Sequence, residues 1–391
     1  MKPDRVTGDN ILPDNGEDVG IPLWNSIHSR VSPVIGIEKL KEFKSSEFFA
    51  EVFSKHSREE VEDCFGVGTE TSTPDISAVD VSWPKPWIFM RMVFISLFLF
   101  LLFWVGWKVF CNAKLLPGLL MVGSFAIPIS TLVLFLELNV RRNVSLYMVS
   151  KLTLLGGIVS LLLSLFLFSY VSDEYRWLGA MLAGPVEETG KVLAVVMIAR
   201  VANYKYKLNG LLIGAAVGVG FAAFESMGYA MDDFTMQTVH DVAIMMSKQQ
   251  SDILSILASA ISSAADKMIG VIVVRGILSP FGHIVWSAIS CCALWRTIGG
   301  QPFQWRMLCD EKFIRLFLVP VLLHMIWNSP LELPFFGKYM LVGIVGWFVC
   351  LSLVQEGLHE VAGEKADAMA RYSGAESVEQ SMAGNQEGDK Q

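Results

Sequence analysis

Four apolar stretches of this chain carry side chains that apolar stretches ordinarily lack. One reads Gly184-Pro185-Val186-Glu187-Glu188-Thr189-Gly190-Lys191. A second reads Phe221-Ala222-Ala223-Phe224-Glu225, with Tyr229 one turn later. A third carries His283 with Ser287 one turn on, and a fourth His324 with Asn328 one turn on. Ionisable groups inside a membrane span cost free energy and read first as functional. Adjacent Glu187 and Glu188 in a low-dielectric setting cannot both hold their charge easily, which suits one of them to act as a general base on water. Lys191 follows Glu187 by four residues and Glu188 by three, so on a helix it can face either and offset one charge. Gly184-Pro185 is expected to open a fresh half-helix with the pair in its first turn, where the helix dipole favours an anion. The plain structural readings are a Glu–Lys pair kept for packing and span-end histidines that only satisfy a hydrogen bond. A doubled Glu with a Lys, together with a third Glu and two His on other helices, favours chemistry. Tyr229 reads as an interfacial anchor and Arg275 as a headgroup or pocket-rim contact.

The elements around these residues must be membrane helices. Of 391 residues 53% are hydrophobic and only 18% charged, against roughly 25% for soluble domains. Mean hydropathy is +0.47, which argues against a soluble enzyme. Residues 1–85 hold 9 basic and 16 acidic side chains and 357–391 hold 3 and 7, so two acidic ends flank a mildly basic, apolar middle. Acidic ends repel phosphate, and no nucleic-acid partner is expected. None of the six cysteines forms a CxxC pair, and they read as small apolar packing residues. The charged N-terminus has no early apolar run, so a signal peptide is not expected.

The expected class is all-α: a polytopic membrane bundle of about eight helices, with a small soluble helical N-terminal region and a disordered polar C-terminal tail. The expected units are 1–85, 86–356 and 357–391. Within the first, 1–35 reads as loop, 36–64 as helical, and Ser57 with Glu60 as a capping box opening a short helix. Eight spans are expected at 87–110, 116–137, 150–171, 177–200, 208–230, 280–297, 312–329 and 337–355. The stretch 250–279 carries Asp252, Asp266, Lys267 and Arg275 and reads either as interfacial or re-entrant, or as a further span that inverts the later topology. Basic residues gather at one set of span ends (Lys85, Arg91, Arg141, Arg142, Lys151, Arg200, Lys205, Lys207, Arg296, Arg306, Lys312 and Arg315), which puts both termini in the cytoplasm. In that orientation Glu187, Glu225, His283 and His324 all fall in the outer halves of four antiparallel helices. One polar pocket open toward the outer face follows. Gly210, Gly214 and Gly218 make a small-residue stripe, which either brings the Glu187 helix against Glu225 or serves ordinary packing or a homo-oligomer contact.

The series Glu187-Glu188-x-x-Lys191, Phe221-x-x-x-Glu225, His283 and His324-x-x-x-Asn328 resembles the motifs of the PrsW family of intramembrane proteases. The run Ser124 to Leu165, with Phe135-Leu136-Glu137-Leu138-Asn139 and Arg141-Arg142-Asn143-Val144-Ser145, resembles the stretch before that family's catalytic helices. The likeness covers about 115–330 and the order of motifs is its specific part. In the related CAAX-protease and bacteriocin-processing superfamily, His stands where this chain has Glu225. Ser287 departs from the Thr, amide or acid expected there. The resemblance implies cleavage of a membrane-anchored protein near the outer membrane face, of the kind that starts anti-sigma-factor signalling, in a bacterial cytoplasmic membrane. Its partners would be that substrate and the lipid bilayer.

Two mechanisms stay open. Without metal, Glu187 or Glu188 acts as base on water, Glu225 shares the proton or orients that water, His324 and Asn328 donate to the oxyanion, and His283 donates or positions the substrate carbonyl. With a divalent metal such as zinc, a glutamate of the pair (Glu188), Glu225, His283 and His324 supply ligands and a remaining Glu is the base. No HExxH is present, which favours the metal-free route. A proton-coupled transporter would also bury Glu, His and Lys, but no second copy of the Gly-Pro-x-Glu-Glu pattern signals an internal repeat. A non-catalytic membrane scaffold would not need every one of these groups.

Overall fold

In a computed structural model, residues 30–199, 203–247 and 252–388 are described, and all their regular structure is helical. Among the described residues nine helices build the bundle: α1 (Ile88–Phe110), α2 (Leu116–Leu138), α3 (Leu146–Phe168), α4 (Ala183–Ile198), α5 (Lys207–Ser247), α6 (Ile253–Leu278), α7 (His283–Ile298), α8 (Glu311–Trp327) and α9 (Gly337–Gly388). Six apolar helical segments among the described residues are long enough to cross a membrane: α1, α2, α3, α5, α6 joined to α7, and α9. α4 and α8, at 16 and 17 residues, are shorter but connect opposite ends of the bundle.

α5 is the axis. Its most apolar stretch is 83% buried, whereas that of α1 is 11% buried and presents Phe94, Ile95 and Phe98 outward. Small residues explain why neighbours reach α5 so closely. A Cβ on Gly214 would lie 2.2 Å from the Ser287 carbonyl oxygen, and one on Gly218 2.6 Å from that of His283. The stripe at Gly210, Gly214 and Gly218 therefore seats α7; the expectation that it brings α4 against Glu225 does not hold. α3 reaches α5 through Gly157 and Gly220 instead, beside a π-helical turn at Leu152–Gly156.

The stretch 250–279 is no separate span. α6 runs antiparallel to α5, breaks at Ser279–Gly282, and continues as α7 toward the same end, so the later topology is not inverted. Three expectations at the chain's ends are corrected. Residues 30–35 are helical where loop was expected, and 1–29 lie outside the described residues. Only Ser45–Phe48 and Arg58–Phe65 are helical within 36–64, because the backbone of 38–42 bonds to Gln355 and Glu356 of α9. The capping box of Ser57 and Glu60 is present. The expected disordered tail is instead a continuation of α9 to Gly388, in a stretch free of proline and rich in Ala and Glu.

The N-terminal segment packs onto one end of the bundle. Glu137 of α2 accepts hydrogen bonds from the backbone N–H groups of Trp87, Ile88 and Phe89, closing the otherwise unpaired start of α1. Arg296 pairs with Glu356 and Lys205 with Glu364 at this end. The site lies toward the other end.

Candidate active site

α4 supplies the glutamate pair, and its rotation is set by two close contacts. Gly190 packs on Ser160 and Ser164 of α3, and Gly184 on the Val321 carbonyl and Met325 of α8. The helix begins at Ala183, so Glu187 and Glu188 lie in its second turn, one turn later than expected. The two carboxylates then part company. Glu187 lines a cavity of about 600 Å³, while Glu188 is wholly buried behind it.

Glu188 is held from three sides. Lys191 Nζ donates to Oε1 at 2.7 Å, His324 Nδ1 lies 3.2 Å from Oε1, and Ser290 Oγ donates to Oε2 at 3.0 Å. Lys191 Nζ also lies 3.0 Å from His283 Nδ1 and 4.2 Å from the centre of the Phe221 ring. Glu225 Oε2 accepts from His283 Nε2 at 3.0 Å and from Arg275 Nη2 at 2.6 Å. Arg275 Nε donates to Ser226 Oγ at 3.0 Å, and its guanidinium lies over the Tyr229 ring. Three carboxylates thus share two fixed cations and two imidazoles.

The hydrogen bonds assign the rings. A carboxylate only accepts, so His324 donates from Nδ1 and His283 from Nε2. In the neutral rings this leaves His324 Nε2 and His283 Nδ1 as lone-pair nitrogens. They lie 3.8 and 3.9 Å from Glu187 Oε2, and His283 Nδ1 also accepts from Lys191 Nζ at 3.0 Å. That oxygen is buried and has no hydrogen-bond partner. Ligand atoms of Glu187, His283 and His324 all lie within 4.8 Å of one another. Lys191 Nζ stands 3.9 Å from the same oxygen.

Five of the seven expected site residues line the cavity: Glu187, Glu225, His283, His324 and Asn328. Glu188 and Lys191 stand behind them. Along the helix axes the wall groups lie about 17 to 27 Å from the basic end at 1.5 Å per residue, which places the cavity toward the opposite end. Arg275 and Tyr229, read from sequence as rim and anchor, are wall residues. Ser287 is buried, bonds to nothing through Oγ and does not reach the cavity. Two supports were not singled out from sequence. Ser290 fixes Glu188, and Trp286 stacks on His324 with ring centres 4.5 Å apart. Ser290 lies seven residues, two helical turns, after His283 and shares its face, a signal that was there to read.

Residues 144–354 match the family model described as PrsW family intramembrane metalloprotease, over more than half of the chain. No curated protein matches, and no solved structure does. The apolar helices and this match together identify an integral membrane protein.

Proposed function

The chain belongs to the PrsW family of intramembrane proteases, and from that premise we propose that it cleaves a peptide bond of a membrane-anchored protein at the cavity walled by Glu187, Glu225, His283 and His324. One observation carries the reading. The unpartnered oxygen of Glu187 and the lone-pair nitrogens of two histidines converge at the cavity wall. Each histidine is held through its other nitrogen by a carboxylate, Glu188 for His324 and Glu225 for His283.

This donor set fits a divalent metal such as zinc once the Lys191 ammonium, 3.0 Å from His283 Nδ1, gives up that contact and keeps its bond to Glu188. Catalytic zinc takes three protein ligands of this kind, with carboxylates fixing the histidines from behind. Glu187, His283 and His324 would hold the ion. A bound zinc supplies a Lewis acid that makes water a nucleophile near neutral pH. The set differs from the sequence-based one in taking Glu187 as ligand and Glu188 and Glu225 as holders of the histidines.

The chain's own groups have separable tasks. Lys191 limits the negative charge of the glutamate pair. Glu225 uses Oε2 for Arg275 and His283, which leaves Oε1 to accept the proton of the attacking water and return it to the leaving amine. Asn328, at the end of α8, donates its amide N–H to the carbonyl oxygen as charge develops there. The polar wall lies within an apolar bundle, so a substrate span must unwind locally to present a bond.

The orientation is part of the proposal: basic end and both termini in the cytoplasm, cavity toward the outer face, cleavage of the type that releases anti-sigma factors. The test compares membrane-protein fragments from cells expressing the intact protein or Glu187→Gln at equal level, with new N-termini mapped by mass spectrometry. A fragment just beyond a span that appears only with the intact protein supports the reading; identical fragment lists under several stresses sink it. Metal content of the purified protein is the second readout. About one zinc per chain is expected, lost in His324→Ala.

A further inference from the structure

α5 does not stop at the site. Its 41 residues extend about 61 Å, twice the roughly 30 Å hydrocarbon core of a bilayer. From Glu225 it runs on to Ser247, about 33 Å further. α6 returns beside it. The base of this hairpin is buttressed, because Ala230, Ala265, Met268 and Ile272 pack with Trp107 of α1 and Leu119 of α2. Ion pairs between Lys108 and Asp266 (2.6 Å) and between Lys267 and Asp233 (2.8 Å) mark the level where charge meets water. Beyond it α6 buries only Ile256, Ala260, Ala264 and Ala265, and the rest of α6 there is exposed or nearly so.

The face of α5 that walls the cavity continues along this projection. Phe221, Glu225 and Tyr229 are followed on the same helical face by Asp232, Met236, His240 and Ala243, all four exposed. Flanking them, Met231, Val239 and Met246 are 49%, 62% and 63% exposed, a high apolar content for a surface outside lipid. Methionine is flexible and polarisable and adapts to varied partners. The charge is one-sided. Of the five aspartates between Ser226 and Asp266, Asp233 and Asp266 are paired with Lys267 and Lys108, which leaves three against Lys248, and the stretch has no arginine or glutamate. Asp232, Asp241 and Asp252 have no Lys or Arg partner among the described residues.

We infer that this stripe is a docking surface for the extramembrane flank of the substrate, and that the recognised flank mixes Lys or Arg with apolar residues. The inference rests on the protease reading above. A polypeptide leaving the cavity past Tyr229 meets this face without a gap, and this continuity identifies the occupant. Acidic side chains beside exposed methionines then set its chemistry. In the proposed orientation the flank is on the outer side, where membrane proteins carry few basic residues near their spans. A basic outer flank therefore separates substrates from most other single-span proteins.

The test uses full-length Glu187→Gln protein in nanodiscs and three single-span reporters. These share one transmembrane segment and differ in an outer flank of Lys/Leu, Glu/Leu or Ser/Gly. Binding is measured by fluorescence. The Lys/Leu flank is expected to bind about tenfold more tightly than the Glu/Leu flank, more so at low salt. Asp232→Lys with Met236→Ser, both on exposed positions, is expected to erase the preference while the helical circular dichroism stays unchanged. Equal binding of all three flanks, a preference indifferent to the double variant, or no binding overturns the inference. Protein with Glu187 intact is then given the same reporters. Flank-selective binding without any cut sinks the protease reading and upholds the docking surface; equal cutting of all three reporters sinks the docking surface alone.

Discussion

At the scale of the residue, the two adjacent glutamates separate into a group that walls the cavity and an anchor behind it. Neighbouring residues on a helix point about 100° apart, so only one of them can face the cavity. The sequence names Glu187, Glu188 and Lys191 together but leaves open which carboxylate meets the cavity. That depends on the rotation of α4, which the contacts of Gly184 and Gly190 with two other helices decide. The distinction predicts two different failures. Glu187→Gln should lower kcat by about 10² to 10⁴-fold and leave thermal stability in detergent near that of the intact protein. Glu188→Gln should strand the fully buried Lys191 without its nearest counter-charge, a loss of about 3 to 5 kcal/mol and a clear fall in Tm. Equal Tm values for the two variants would refute the division. Arg275 was harder to place from sequence, because its partners Glu225 and Ser226 lie about 50 residues earlier and only the pairing of α5 with α6 brings them together.

At the scale of the element, the spans were legible because about 20 apolar residues in a row have few alternatives to a membrane helix. The stretch 250–279 was not, because a helix that leaves the membrane and re-enters mixes both compositions. Its polar half belongs to a projection outside the apolar bundle and its apolar half to the broken pass α6–α7. Gly282, with φ −120° and ψ −125°, lets α7 start afresh with His283 as its first residue. The glycine stripe was legible as a close contact but not as a contact with α7, since spacing marks a face and does not name the partner. Close approach can be tested where it is tightest. A Cβ on Gly220 would sit 1.8 Å from the Thr153 carbonyl oxygen, whereas one on Gly228 meets nothing within 4 Å. Gly220→Ala should destabilise the protein by about 1 to 3 kcal/mol by forcing α3 from α5. Gly228→Ala, on an exposed turn of the same helix, should match the intact protein or slightly exceed it. Thermal unfolding of both in one detergent decides the point, and indistinguishable curves would mean that α3 and α5 do not pack as described.

At the scale of the whole molecule, the N-terminal segment ahead of α1 is fastened to α9 at the basic end of the bundle. The segment 38–42 lies on α9, and His359 there sits 2.9 Å from Glu38 and 3.0 Å from Glu42. Burial opposes a charge on His359, but the carboxylates of Glu42 and Glu38 outweigh it and hold its pKa above the usual 6.5. The contribution to docking is therefore complete below pH 6.5 and fades as pH rises through the raised value. Amide exchange at Lys41 and Glu42, corrected for intrinsic rate, should speed up between pH 6 and 8.5, and His359→Gln should remove that dependence; a slope unchanged in the variant would exonerate the histidine. This contact was invisible in the sequence, since more than 300 residues separate its partners and the apolar spacing of 36–64 suggested helix. The sidedness of the molecule is testable with its own cysteines. Cys291, Cys292 and Cys350 are buried, Cys111 is exposed at the cavity end, and Cys309 is exposed at the basic end. With the basic end in the cytoplasm, a membrane-impermeant maleimide applied to intact cells should label Cys111 and spare Cys309. Cys111→Ser should abolish that labelling, and permeabilised cells should expose Cys309 as well. The reverse pattern would place the cavity on the cytoplasmic side, and the substrate flank recognised by the α5–α6 projection would then have to be a cytoplasmic one, where basic residues are common and an acidic stripe would discriminate poorly.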